Sequence, residues 1–192
     1  MIGGIILAAG SSRRFGDDKR KVELPSGRTV LEQSIRNAAD VLQQVMVVLR
    51  FGDQPFIDEF EPRLDLPNVE FFRAPDSAKG MAHSLGNAVH ELHDWDAAMI
   101  LLGDMPYLKS DTLRALLDAY QANQAKAPIV LPSKDGKTGH PVIFAARYFE
   151  EIEALMGDVG ARAVVDAHPD AVITVAVSDP GIFRDIDTPE DL

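Results

Sequence analysis

The arrangement of hydrophobic residues constrains this chain more than any other feature. Short apolar runs alternate with stretches whose apolar residues recur at helical spacing. The runs, at 4–9, 45–49, 69–72, 97–102, 129–131, 142–144 and 173–177, read as buried strands. Helical periodicity occupies 30–42, 55–60, 81–92, 111–124, 147–155 and 161–167. Strand–helix alternation requires crossover connections, and therefore a mostly parallel sheet with helices on both faces. Near-continuous apolar runs, without period-two alternation, suit strands covered on both sides. Only a short connection separates 129–131 from 142–144, which predicts one antiparallel or local excursion. No repeat, low-complexity tract or long linker divides the 192 residues, so a single domain over 1–192 is expected.

In such sheets ligands collect beyond the carboxyl ends of the strands, so the residues after each run are the candidates. The chain has no cysteine, which excludes a disulfide framework, a thiol nucleophile and thiolate-held metal. The net charge of −11 argues against nucleic acid and anionic membrane as partners. The apolar run at 5–9 is too short to span a bilayer and lacks the basic leader of a secretory signal. A cytoplasmic location is the expectation. Against this acidic background Arg13, Arg14, Lys19, Arg20, Lys21 and Arg28 crowd one short stretch. Such crowding reads either as a site for a local anionic ligand or as a solvated charged loop.

The first run ends in Leu7-Ala8-Ala9-Gly10 and continues through Ser12, Arg14 and Gly16 to Lys19. Small residues let backbone N–H groups approach phosphate oxygens, a hydroxyl can join them, and Arg and Lys supply charge. As a bare glycine-rich turn it reads better as simple strand-to-loop geometry with the arginines in water. Neither G-x-x-x-x-G-K-[ST] nor G-x-G-x-x-G is present. Further on, Gly80-Met81-Ala82-His83-Ser84-Leu85 precedes a helix, where Ser84 can bind a ligand or merely cap. Asp104, in Leu101-Leu102-Gly103-Asp104-Met105-Pro106, follows a strand and can hold a hard cation or act as a cap. His140 opens a strand in Gly139-His140-Pro141. Asp185 and Asp187 share one face of an extended segment, and Thr188-Pro189-Glu190 reads as a helix start.

The first of these strings resembles the L-A-[AG]-G-x-S-x-R-[MF]-G-x-x-K signature of the molybdenum-cofactor nucleotidyltransferase-like family (MobA/MocA-like NTP transferases), matching every specified position. Elements similar to that family's G-[ML]-x-x-S-[LI], G-D-x-P, G-H-P, G-D-x-G-[AR]-R and [DN]-[IV]-[DN]-T-P-E-D-L follow in order through Leu192. The resemblance implies a three-layer α/β/α Rossmann-like fold and Mg²⁺-dependent transfer of a nucleoside monophosphate to a phosphorylated acceptor, with pyrophosphate released. It implies that Leu7, Ala8, Ala9, Gly10, Ser12, Arg14, Lys19, Gly80, Ser84 and Asp104 bind the nucleotide. Arg14, Lys19 and Asp104 would carry catalysis, with Asp104 and Asp187 as metal ligands and Asp185 the competing candidate. His83 falls at a variable place and His140 is expected to position rather than transfer protons. Arg20 and Lys21 stand where the family often has apolar residues, and the chain ends on the terminal motif; both leave acceptor choice open. Ala9 at the third position of L-A-A-G leans toward CTP and molybdopterin, with GTP or a sugar- or alcohol-phosphate acceptor as alternatives. A catalytically silent nucleotide-binding module is the competing class; Lys19 and Asp104, both present, count against it.

Overall fold

A computed structural model describes residues 1–10, 15–157 and 160–192. In chain order the elements are β1 (Ile2–Leu7), α1 (Val30–Ala39), β2 (Val45–Arg50), α2 (Gln54–Leu64), β3 (Val69–Ala74), α3 (Met81–His90), β4 (Ala97–Leu102) and α4 (Ser110–Ala122). They continue with β5 (Ile129–Lys134), β6 (Lys137–Thr138), β7 (Val142–Ala145), α5 (Phe149–Glu153), α6 (Arg162–Ala167) and β8 (Val172–Ala176). The expected alternation is present. The first strand begins and stops two residues earlier than its apolar run. The periodicity at 147–155 resolves into a 3-10 turn, Ala146–Tyr148, before α5.

The eight strands among the described residues form one sheet in the order β3-β2-β1-β4-β7-β5-β6, with β8 beside β5. The pairs β1–β2, β1–β4, β2–β3 and β5–β8 are parallel. The expected excursion is β7, which runs antiparallel to both β4 and β5. Because β2 lies on one side of β1 and β4 on the other, successive crossovers leave β1 in opposite directions. A crevice opens at such a reversal, outside the carboxyl ends of the strands. In register Leu7 faces Leu102, so Ala8 and Gly103 leave the sheet side by side at that crevice.

Packing explains why these segments hold their shapes. In α1 the buried residues Val30, Leu31, Ser34, Ile35 and Ala38 trace one helical stripe, and Thr29 caps the start by accepting from the Glu32 amide at 3.2 Å. Ile5, Ile6, Val47, Val48 and Met99 of the central strands are fully buried, each such side chain contributing roughly 1.5–3 kcal/mol of apolar transfer. A smaller cluster of Leu24, Val30 and Ile186 ties the start of α1 to the segment around residue 186.

Candidate active site

Three segments far apart in sequence meet at the crevice. The first follows β1, where Asp18 caps a single 3-10 turn, Lys19–Lys21, by accepting from the Arg20 amide. The second follows β4. Gly103 donates its amide to Leu7 O at 2.9 Å, and a Cβ there would stand 3.0 Å from both Ala8 Cβ and Leu31 Cδ1. Close approach of the two strand ends therefore favours glycine, and it delivers Asp104 into the crevice. The third is the stretch before the 3-10 turn Pro189–Asp191. Ile186 donates its amide to Asp104 O at 2.9 Å and buries its side chain, while the Arg184 guanidinium lies 4.0 Å from the centre of the Tyr107 ring. Thr188 and Asp191 form a capping box just beyond.

Lys19 Nζ is the centre of the arrangement. It donates to Asp104 Oδ2 at 2.6 Å, Asp187 Oδ1 at 3.2 Å and Ile186 O at 2.8 Å. Burial works against the ammonium charge, but the two carboxylates outweigh it and the Lys19 pKa rises. Asp104 is shifted the other way relative to its ionised form. Burial raises its pKa, Lys19 offsets this only in part, and Asp185 adds like-charge repulsion. Its second oxygen, Oδ1, is buried without a hydrogen-bond partner among the described residues. Leaving such an oxygen unsatisfied carries a desolvation cost, so the site is poised for a further cation or donor.

His140 borders the same space. A Cβ on Gly139 would fall 2.4 Å from Ile182 O, and the His140 amide donates to that oxygen at 3.0 Å. The 182–186 strip thus runs from His140 at one end to Asp104 at the other. The imidazole is exposed, yet desolvation by the surrounding protein holds its pKa below the ordinary value, against the opposing pull of Asp104 and Asp185.

The crevice thus brings together Leu7, Ala8, Lys19, Asp104 and Asp187, while Ala9 and Gly10 continue from β1. Ser12 and Arg14, together with Arg13, lie outside the described residues. Gly80 stands at the N-terminus of α3; Ser84 is buried there, its hydroxyl turned back 3.4 Å to Gly80 O. Among the described residues the crowded cations do not act as one patch. Lys21 pairs with Glu59, Arg28 with Gln33, and Arg20 is buried against Asp18 and Asp53. Sequence reasoning missed Asp18 and Asp53, because nothing in the spacing of 18, 20 and 53 announces a salt-bridge network. It also missed the Ile186 carbonyl, which carries no side-chain signal.

No group of three or more His, Cys, Asp or Glu side chains placed to hold a metal occurs among the described residues. Two carboxylates, one with an orphaned oxygen, nonetheless suit a hard divalent cation that draws its remaining ligands from phosphates and water.

A mostly parallel sheet whose strand order reverses at β1, with a lysine and two aspartates over that point, defines an α/β nucleotidyltransferase fold. The chain belongs to the family of the MobA-like NTP transferase domain, whose model matches residues 4–172. It is 31% identical to the purine catabolism protein PucB of Bacillus subtilis, over 98% of this chain and 92% of that protein. It is 29% identical to the bifunctional protein GlmU of Corynebacterium diphtheriae over 71% of this chain, but spans only 29% of that protein. Among solved structures it resembles Rv0371c of Mycobacterium tuberculosis, with a TM-score of 0.80 and 28% identity over 99% of this chain and 94% of the other. A structure of Rv0371c in complex with manganese superposes with a TM-score of 0.76 at 25% identity, over 99% and 95% of the two chains. No helix among the described residues is long and apolar enough to cross a membrane.

Proposed function

We propose that the chain is a Mg²⁺-dependent nucleotidyltransferase that moves the nucleoside monophosphate of an NTP, CTP preferred, onto a phosphorylated small-molecule acceptor such as molybdopterin. The observation that carries this reading is the Lys19 ammonium held between Asp104 and Asp187 at the strand-order reversal, beside the unsatisfied Asp104 Oδ1. The manganese complex of Rv0371c supports a divalent metal, and Ala9 in L-A-A-G supports CTP.

An acceptor phosphate is anionic near neutral pH and needs no general base. The barrier is electrostatic: two anions approach while pyrophosphate departs. Asp104 and Asp187 would hold the metal, which supplies Lewis-acid neutralisation of the phosphates. The Lys19 ammonium, released from the carboxylates, would reach the triphosphate and offset charge on the leaving pyrophosphate, with Arg14 in the same role. Ala8, Ala9 and Gly10 offer backbone to the nucleotide, and His140 orients the acceptor side. Asp185 is the alternative metal ligand.

The experiment is a thermal-shift panel of CTP, GTP, ATP and UTP with Mg²⁺, followed by pyrophosphate release with the tightest binder and a molybdopterin acceptor. A ligand that binds only the folded state raises its melting temperature. CTP giving the largest shift is the expected result. A larger shift with GTP overturns the base assignment, and no shift with any triphosphate overturns the reading as a whole.

A further inference from the structure

Arg20 stands beside Lys19 in sequence but takes none of its contacts, and it is buried, 4% exposed. Its guanidinium donates to Asp18 through Nε at 2.8 Å and Nη2 at 2.7 Å, and to Asp53 through Nη1 at 2.6 Å and Nη2 at 3.3 Å. A longer contact of 3.4 Å joins Nη1 to Ala8 O. The Phe56 ring lies beneath, its centre 4.4 Å from Cζ. Asp53 is fixed independently, accepting from the Arg50 amide and Nε. One side chain therefore joins three places: the exit of β1, the 3-10 turn, and the junction of β2 with α2.

Lysine has four rotatable bonds and a compact charge, so where its ammonium dwells depends on where its backbone is held. The backbone at Lys19 is bracketed by the Asp18 cap on one side and the clamped Arg20 on the other. We infer that Arg20 is a positioning residue for Lys19: its clamp sets the base from which the ammonium reaches Asp104 and Asp187, and from which it meets a bound triphosphate. Only the last clause rests on the proposed function. A purely stabilising clamp would leave the Lys19 contacts unchanged in any variant that still folds.

Amine acylation separates the two. The amine nitrogen attacks the carbonyl of N-acetoxysuccinimide and expels N-hydroxysuccinimide, so a Lys19 nitrogen held by Asp104, Asp187 and Ile186 O is hindered from reacting. Mass spectrometry of the free protein follows acetylation of Lys19, with exposed Lys109 as internal reference. In Arg20→Met, well below its melting temperature, Lys19 acetylation is expected to rise severalfold as the ammonium leaves its three contacts. Arg20→Lys should be intermediate, because a single ammonium cannot span both carboxylates. Lys21→Met, in the same turn but exposed, should match the parent protein. Should Arg20→Met fail to fold, Asp53→Asn removes one arm of the clamp and should move Lys19 in the same direction by a smaller factor. Unchanged Lys19 reactivity in the folded variants overturns the inference.

A second readout tests the functional clause. The clamp variants should weaken CTP–Mg²⁺ binding while leaving CMP binding near that of the parent, because CMP lacks the phosphates Lys19 would meet. Equal weakening of both overturns that clause. Absence of CTP binding by the parent protein counts against the proposed function alone, and acetylation still decides the clamp.

Discussion

Lys19 and Arg20 are neighbours in the chain, and their surroundings differ in one instructive way. Around Arg20 the donors and acceptors match: a planar fork faces two aspartates, one carbonyl and an aromatic face. Around Lys19 the balance fails, since a buried oxygen of Asp104 accepts from no donor among the described residues. A satisfied buried network holds a shape, whereas an unsatisfied one is a place where a ligand can lower the free energy. Charge alone would have ranked these two cations equally.

The largest test of this contrast is Asp104→Asn. Loss of the proposed ligand should cut pyrophosphate release by about 10²- to 10³-fold. Thermal stability should hold or improve, because burial already disfavours the ionised carboxyl. A marked fall in melting temperature with turnover retained would make Asp104 a structural residue and erase the distinction.

The opposite profile is expected on the other side. Arg20→Met takes the main partner from the buried Asp53 and the half-buried Asp18, while Arg50 still reaches both, and should cost about 1.5–3 kcal/mol, measured by denaturant unfolding. Burial raises the pKa values of Asp18 and Asp53, but the bonds to Arg20 outweigh it and both end below 3.8. Their stabilisation is therefore complete above that unfolded-state value and is lost as pH falls through the lower folded values. Acid unfolding of Asp53→Asn should accordingly be less steep than that of the parent. An identical acid limb would show that Asp53 is not part of the linkage.

Lys19→Met sharpens the contrast at smaller amplitude. With the ammonium gone, Mn²⁺ alone should bind the carboxylate pair several-fold more tightly, read by electron paramagnetic resonance, even as transfer slows. Weaker Mn²⁺ binding would mean that Lys19 assists the ion instead of holding its place. The slightest effect falls on His140, whose pKa lies below 6.5. Because Asp104 pulls it upward, Asp104→Asn should lower it further in an NMR titration; a rise would contradict that coupling.

Much of this was legible in the sequence because it rested on local signals. Buried strands announced themselves through runs such as 97–102, and α1 through its stripe and its Thr29 cap. The string from Leu7 to Lys19, with Asp104 after β4, marked the right end of the sheet. What stayed hidden was pairing at a distance. Nothing in the chain indicates that Asp53 reaches Arg20, or that a main-chain oxygen at Ile186 completes the surroundings of Lys19. The basic crowding from Arg13 to Arg28 could not be sorted by sequence, since proximity says nothing about which way Lys21 and Arg28 turn.

The contacts of Lys19 span 85, 167 and 168 residues of chain. Contacts of such separation demand loop closure before they return any energy, and so belong late in a folding reaction. A species with the sheet assembled but the 182–187 strip undocked would look native by most spectroscopic measures and yet lack Asp187 at the crevice. Closure of the Lys19–Asp187 contact, more than helix or strand content, would therefore mark the moment at which refolding of this protein is finished.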